Sequence, residues 1–213
     1  MVWFLRFLFF TLIVRTIVLF VLGLNIRHRE RLPKKGPAII VANHNSHLDT
    51  LVLMTLLTPK LLPKVQPVAA ADYFLRNKLF AWFALNIIGI IPIKRTREDR
   101  TADPLAPIVK ALEQGQILIF FPEGSRGEAE QFTEFKTGIA RLAGRCPDVP
   151  VIPVYLHGLG KALPKGEAVL VPFFCDVFVG ESLAWTGDRS GYMNLLSASL
   201  HKLADEGQFP AWE

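Results

Sequence analysis

The chain has 213 residues, 51% of them hydrophobic and 20% charged, which fits one globular domain with a small appendage and excludes both a disordered chain and a large multidomain machine. Two cysteines, Cys146 and Cys175, are too few for a disulfide scaffold, and no cysteine–histidine spacing suits zinc. The formal charge of +5 is concentrated in residues 1–36, which carry a local +6 while the remainder carries −1, so a broad nucleic-acid-binding face is excluded as well.

The first segment, Met1 to Leu24, is apolar at 19 of 24 positions, interrupted by Arg6, Thr11, Arg15, Thr16 and Gly23. As a helix it is roughly 36 Å long, enough to cross a hydrocarbon core of about 30 Å. Arg15 falls near the middle of that span, where an arginine costs about 2.5–3.5 kcal/mol. A helix lying in the interface avoids this cost by letting the side chain snorkel. Arg6 and Arg15 stand about 180° apart on such a helix and share no polar face. A cleaved signal suits the length, but Arg15 splits its apolar run and no A-x-A-like site follows; burial against the domain's own surface is the other alternative. Residues 1–26 are therefore expected to form a membrane anchor helix and residues 27–213 the functional domain. Removing residues 1–24 is expected to release the domain still folded. The basic collar of Arg27, Arg29, Arg31, Lys34 and Lys35 directs that domain to the cytoplasmic face of the inner membrane.

After the collar, apolar runs and helical patterns alternate. Ala38 to Ala42 reads as a strand buried on both faces, and Leu48 to Leu57 as a helix ended by Thr58-Pro59. Further apolar runs lie at Pro67–Ala71, Ile87–Ile93, Gln116–Phe121, Val149–Leu156 and Ala168–Val179. Between them fall helical patterns at Tyr73–Leu85, at Pro104–Gln114, at Phe135–Ala143 closed by Gly144, and at Tyr192–Asp205. The expected fold is α/β: a largely parallel central sheet flanked by helices, with an N-terminal membrane-associated helix.

Polar groups cluster where the expected strands end, the usual place for chemistry in such sheets. Asn43-His44-Asn45-Ser46-His47-Leu48-Asp49 follows the first run. A histidine oriented by a carboxylate can take a proton from an alcohol at neutral pH. On one continuous helix His44 and Asp49 diverge by about 140°, so they meet only if a helix begins between them. The competing account is a capping box from Ser46 to Asp49, in which the carboxylate serves the backbone. Phe121-Pro122-Glu123-Gly124-Ser125-Arg126 ends another strand and suits an oxyanion or phosphate contact, although a bland strand-to-helix turn has the same residues. Glycine is missing where a nucleophile elbow requires it, which makes Ser125 a poor nucleophile. Lys94-Arg95 opens a charged run that could equally be a solvated loop. His47, His157 and His201 read as structural or surface residues, both cysteines as inert, and Pro210-Ala211-Trp212 as a tail that docks or touches lipid.

Four ordered blocks together resemble the glycerolipid acyltransferases, in particular the bacterial lysophosphatidate acyltransferases. They are Asn43-His44-x-Ser46-x-x-Asp49, Gly89 to Arg95, Phe121 to Arg126 and Val151-Ile152-Pro153-Val154. The resemblance implies transfer of an acyl group from an acyl-CoA or acyl-carrier-protein thioester to the free hydroxyl of a lysophospholipid. Lysophosphatidate is the foremost acceptor. An ornithine lipid, glycerol 3-phosphate or a glycolipid is the alternative, and thioester hydrolysis a more distant one. It further implies no metal, no covalent enzyme intermediate and no cofactor beyond the co-substrate. His44 becomes the general base and Asp49 its orienting acid. Lys94, Arg95, Glu123, Gly124, Arg126 and Lys136 become acceptor-binding residues, with Arg95 and Arg126 on the phosphate. Gly127 departs from the serine common in that family.

Overall fold

The computed structural model describes residues 1–94, 103–164, 167 and 169–209. Arg95 and Pro210-Ala211-Trp212 lie outside the described residues. One seven-stranded sheet is formed by β1 (Leu22–Arg27), β2 (Ala38–Ala42), β3 (Val65–Ala70), β4 (Ile91–Ile93), β5 (Ile117–Phe120), β6 (Val151–His157) and β7 (Phe173–Val179), in the order β1-β7-β6-β2-β5-β3-β4. Every neighbouring pair is parallel except β6 with β7.

The central strands are buried on both faces, which is why they read as unbroken apolar runs rather than alternating ones. Along β2, Ala38, Ile40 and Ala42 belong to one core layer, while Ile39 and Val41 belong to the other. The first layer is covered by α1 (Val2–Phe20) and α2 (Leu48–Leu56), through Phe10, Val14 and Val18 and through Val52, Leu53 and Leu56. The second layer is covered by α5 (Ala106–Glu113), α6 (Gly138–Arg145) and α8 (Arg189–Glu206), whose contributions include Ile108, Leu112, Ile139, Leu142, Tyr192, Leu196 and Leu200. The remaining described helices are α3 (Ala71–Phe74), α4 (Lys78–Ile88) and α7 (Leu159–Ala162), with 3₁₀ turns at Arg29–Arg31 and Pro59–Lys64.

The N-terminal segment departs from the expected anchor in two ways. Its helix ends at Phe20, and Leu22–Arg27 is not helical but the edge strand β1, paired with β7 from Leu22↔Phe173 to Arg27↔Phe178. One side of α1 is also part of the core. Phe10, Val14 and Val18 recur every four residues, one helical stripe, and all are at most 5% exposed. Arg6 continues the same stripe, donating from Nη2 to the carbonyls of Val65 at 2.7 Å and Ile88 at 3.1 Å. Two carbonyl acceptors on the Nη2 of a buried guanidinium, whose Nε has no partner, fix α1 in register against the domain. Removing residues 1–24 strips four core side chains, Phe10, Val14, Val18 and Leu22, worth about 1.5–3 kcal/mol each, and part of an edge strand, so the truncated chain is not expected to stay folded.

Several elements are shorter than their apolar runs. The Ile87–Ile93 run holds the wide last turn of α4, then Gly89, and only then β4. Gly89 adopts φ +75°, and a Cβ there would lie 2.7 Å from Arg6 Nη1, so the turn and the arginine both require glycine. The Tyr73–Leu85 pattern is broken into two helices because Asn77 caps a new start, its Oδ1 accepting from the Leu79 and Phe80 amides. Gly144 does not close α6, which runs on to Arg145.

Candidate active site

His44 sits in the loop after β2, and α2 begins at Leu48, so a helix start does fall between His44 and Asp49. His44 Nδ1 is 2.9 Å from Asp49 Oδ2. The same oxygen accepts from the backbone amides of Asn45 at 2.7 Å and Ser46 at 2.8 Å. The two accounts of Asp49 are thus both realised: it closes the helix start and holds the imidazole. Ser46 contributes as well, its Oγ accepting from the Leu48 amide at 3.3 Å and donating to the Leu163 carbonyl at 3.0 Å. Asp49 is 1% exposed, and three donors converge on its Oδ2. With Nδ1–H directed at the carboxylate, Nε2 is the ring nitrogen left with a lone pair. The His44 ring also stacks on Phe121, with centroids 4.0 Å apart, so its plane is fixed on a second side.

His44 lines a cavity of about 1320 Å³. Phe74, Phe80, Phe83, Ile88 and Ile90 form apolar wall, while Lys94, Arg126, Lys136, Arg141 and Arg145 bring positive charge to the same space. Such a lining accommodates a molecule that has both a hydrocarbon chain and an anionic group. Gly124 lines it too, at φ +71°, and a Cβ there would come 2.8 Å from Lys136 Nζ. Glycine therefore lets the lysine lie flat over the loop.

Glu123 is placed differently from the expectation that it contacts an acceptor. It is 2% exposed and does not line the cavity. Its Oε1 accepts the backbone amide of His44 at 3.0 Å, and its Oε2 accepts the Thr133 hydroxyl at 2.7 Å. Burial raises its pKa, against the opposing pull of those two donors. Glu123 is thus a clamp on the His44 loop. Gly127 supports the same loop: its amide donates to the His44 carbonyl at 2.9 Å, and a Cβ there would stand 3.3 Å from Glu123 Oε2.

Other contacts had no signal in the sequence beyond the presence of polar residues. Asn43 bridges to β6, donating to the Leu156 carbonyl and accepting the Leu156 amide, both at 2.8 Å. Asn45 donates to the carbonyls of Glu128 and Gln131. His47, read as structural, lines the cavity; burial and then the Arg126 charge lower its pKa and favour the neutral ring. Arg141 and Arg145, one turn apart on α6, also line the cavity, and nothing in their sequence spacing marks them for it.

Residues 23–157, from β1 to the end of β6, match the family model described as Acyltransferase. Among curated proteins, the chloroplastic 1-acyl-sn-glycerol-3-phosphate acyltransferase LPAT1 of Arabidopsis thaliana is 32% identical over 145 residues, covering 68% of this chain and 38% of the relative. "Taffazin" of Dictyostelium discoideum is 32% identical over 162 residues, covering 70% and 55%. The chain thus spans roughly two fifths to just over half the length of these relatives. The crystal structure of the 1-acyl-sn-glycerophosphate acyltransferase PlsC from Thermotoga maritima superposes with a TM-score of 0.69 at 20% identity, covering 94% of this chain and 79% of that one. That likeness extends the fold match over nearly the whole chain. With the histidine–aspartate turn, the clamped Glu123 loop and β6 all inside the matched span, the chain belongs to the acyltransferase family.

Proposed function

We propose that this protein transfers a fatty acyl group from an acyl-CoA or acyl-carrier-protein thioester to the free hydroxyl of lysophosphatidate, giving phosphatidate. The observation that carries this reading is the 2.9 Å His44–Asp49 contact on a cavity that is apolar in one part and cationic in another. The relatives at about 30% identity named for 1-acyl-sn-glycerol-3-phosphate acylation support the same acceptor.

In this mechanism the acceptor hydroxyl gives its proton to His44 Nε2 as its oxygen attacks the thioester carbonyl. Asp49 stabilises the imidazolium that forms and keeps Nδ1 protonated. Collapse of the tetrahedral intermediate breaks the C–S bond, and the departing thiolate takes the proton back from His44. Arg126 and Lys136 hold the phosphate, with Lys94 and Arg95 contributing to the same charge and Gly124 giving the headgroup backbone access. Glu123 acts on the acceptor only through the loop it clamps.

Lipid substrates give a physical reason for α1. Its outward side exposes Trp3, Phe4, Leu12, Ile13, Leu19 and Phe20 while its inner stripe is sealed to the domain. That division suits a helix lying in one leaflet better than one crossing the bilayer. The collar from Arg27 to Lys35 favours an anionic cytoplasmic surface of the inner membrane.

The test is phosphatidate formation, followed by mass spectrometry, with purified full-length protein, lysophosphatidate and each donor type. Rapid thioester cleavage that is indifferent to lysolipid would overturn transfer in favour of hydrolysis. Equal turnover of acceptors lacking phosphate would overturn the roles of Arg126 and Lys136.

A further inference from the structure

The first six residues of α4, Lys78-Leu79-Phe80-Ala81-Trp82-Phe83, contain four large apolar side chains, and no residue of the six is buried. Leu75, Leu79, Phe80, Trp82 and Leu85 are between 40% and 78% exposed. Each such side chain forgoes about 1.5–3 kcal/mol by remaining in water, and contiguous patches of this kind mark contact surfaces.

Three observations say what covers it. First, the patch adjoins α1: the Phe83 and Phe9 rings meet edge to face at 5.2 Å, and Arg6 of α1 holds the Ile88 carbonyl at the end of α4. The outward apolar sides of both helices therefore belong to one region of the surface. Second, the patch is the outer side of the cavity wall, because Phe80 is both 40% exposed and part of the cavity lining, together with Tyr73 and Phe74. Third, basic side chains edge it: Arg76 and Lys78 are exposed, with the Arg76 guanidinium 5.8 Å from the centre of the Tyr73 ring. Aromatic residues fringed by Arg and Lys are the pattern of a helix at the lipid headgroup boundary.

We infer that Ala71–Ile88 is a second lipid-contacting element, seated in the same leaflet as α1. Its aromatic wall at Tyr73, Phe74 and Phe80 is the doorway through which acyl chains pass sideways between the leaflet and the cavity. The inference rests on the membrane reading of α1 given above, but it makes a separate demand: the α4 patch itself must sit among acyl chains. Two attachment sites would also fix the tilt of the domain on the surface, which one helix alone would not.

Trp82 reports on this directly. A full-length Trp3→Phe/Trp212→Phe variant keeps Trp82 and Trp185, and adding Trp82→Phe supplies the blank. Bound to phosphatidylglycerol–phosphatidylethanolamine vesicles containing acyl-chain-brominated lipid, the Trp82 emission should be blue-shifted and quenched about twofold. Unquenched Trp82 on protein that co-sediments with the vesicles would overturn the inference. In a second measurement, Leu79→Glu/Trp82→Glu should weaken vesicle binding about tenfold or more, as the loss of two apolar contacts requires. It should leave turnover of water-soluble short-chain substrates unchanged, since neither residue lines the cavity. A change in oligomeric state by light scattering, with vesicle binding unaltered, would assign the patch to a second copy of the chain and overturn the lipid assignment. A protein inactive on every lysolipid but with quenched Trp82 would defeat the acyl-transfer reading and uphold this one.

Discussion

Two imidazole–carboxylate pairs stand at the carboxyl ends of neighbouring parallel strands. After β2, His44 Nδ1 lies 2.9 Å from Asp49 Oδ2; at the end of β6, His157 Nδ1 lies 2.5 Å from Glu130 Oε2. Both bring Nδ1 to a carboxylate oxygen, although only the His44 contact has hydrogen-bond geometry, and both carboxylates also take backbone amides, Glu130 accepting from Gly158 at 2.9 Å. The difference that decides their chemistry is access. His44 has Phe121 on one face and lines the cavity, whereas His157 is 7% exposed beneath Phe209, whose ring is parallel to it at 3.5 Å and 2°. A histidine–carboxylate pair is therefore a construction element that becomes chemically useful only where one nitrogen meets a substrate-sized space. The second pair braces the first, because Glu130 belongs to the loop whose Gly127 amide and Glu128 and Gln131 carbonyls hold His44 and Asn45.

That contrast can be broken most directly by removing each ring. His44→Ala should lower phosphatidate formation by about 10²–10⁴-fold while leaving the melting temperature nearly unchanged. His157→Ala should do the reverse, preserving turnover per folded molecule while lowering stability. Equal loss of turnover in both would erase the distinction drawn here. Asp49→Asn comes next. It disturbs the imidazole as well as the helix start, so the rate should fall by about 10²-fold or more with a measurable drop in melting temperature.

Glu123 sharpens the comparison from the acceptor side. Glu123→Ala leaves the His44 amide and the Thr133 hydroxyl without their acceptor, at about 1–3 kcal/mol, which is about 2–4 °C of melting temperature per kcal/mol in a chain this long. Glu123→Gln should cost less, since burial already disfavours the charge, and the KM for lysophosphatidate should not move. A large rise in that KM would return Glu123 to the acceptor site. The smallest effect belongs to His47. Its folded pKa is lowered, so below its ordinary value of 6.5 the unfolded chain binds a proton that the folded chain resists. Stability from this group is present above that value and declines as the pH falls through it toward the folded pKa. His47→Gln should flatten that part of the curve of melting temperature against pH.

Much of this arrangement is legible in the residue order. The central strands announce themselves because burial on both faces demands continuous apolar runs, and His44 and Asp49 lie on either side of a recognisable helix start. What is hidden depends on distant partners. Glu123 looks like a ligand-binding acid until His44 and Thr133 occupy both of its oxygens. Leu22–Arg27 is hidden because a short edge strand that follows an apolar helix without a break has no pattern of its own. Arg6 reads as an interruption of a membrane segment, and only the folded chain supplies the Val65 and Ile88 carbonyls that make it a fastener.

Arg6 has a mechanical corollary. A flexible leash would let the catalytic half wander above the bilayer and meet its greasy substrates at varying heights. On the membrane placement proposed above, a rivet between the lipid-facing rod and the edge of the reaction chamber instead sets the depth of the imidazole below the headgroups once, at folding. Arg6→Met, which keeps the core stripe and the outward apolar side of α1, would leave the enzyme on the membrane yet free to lose that level.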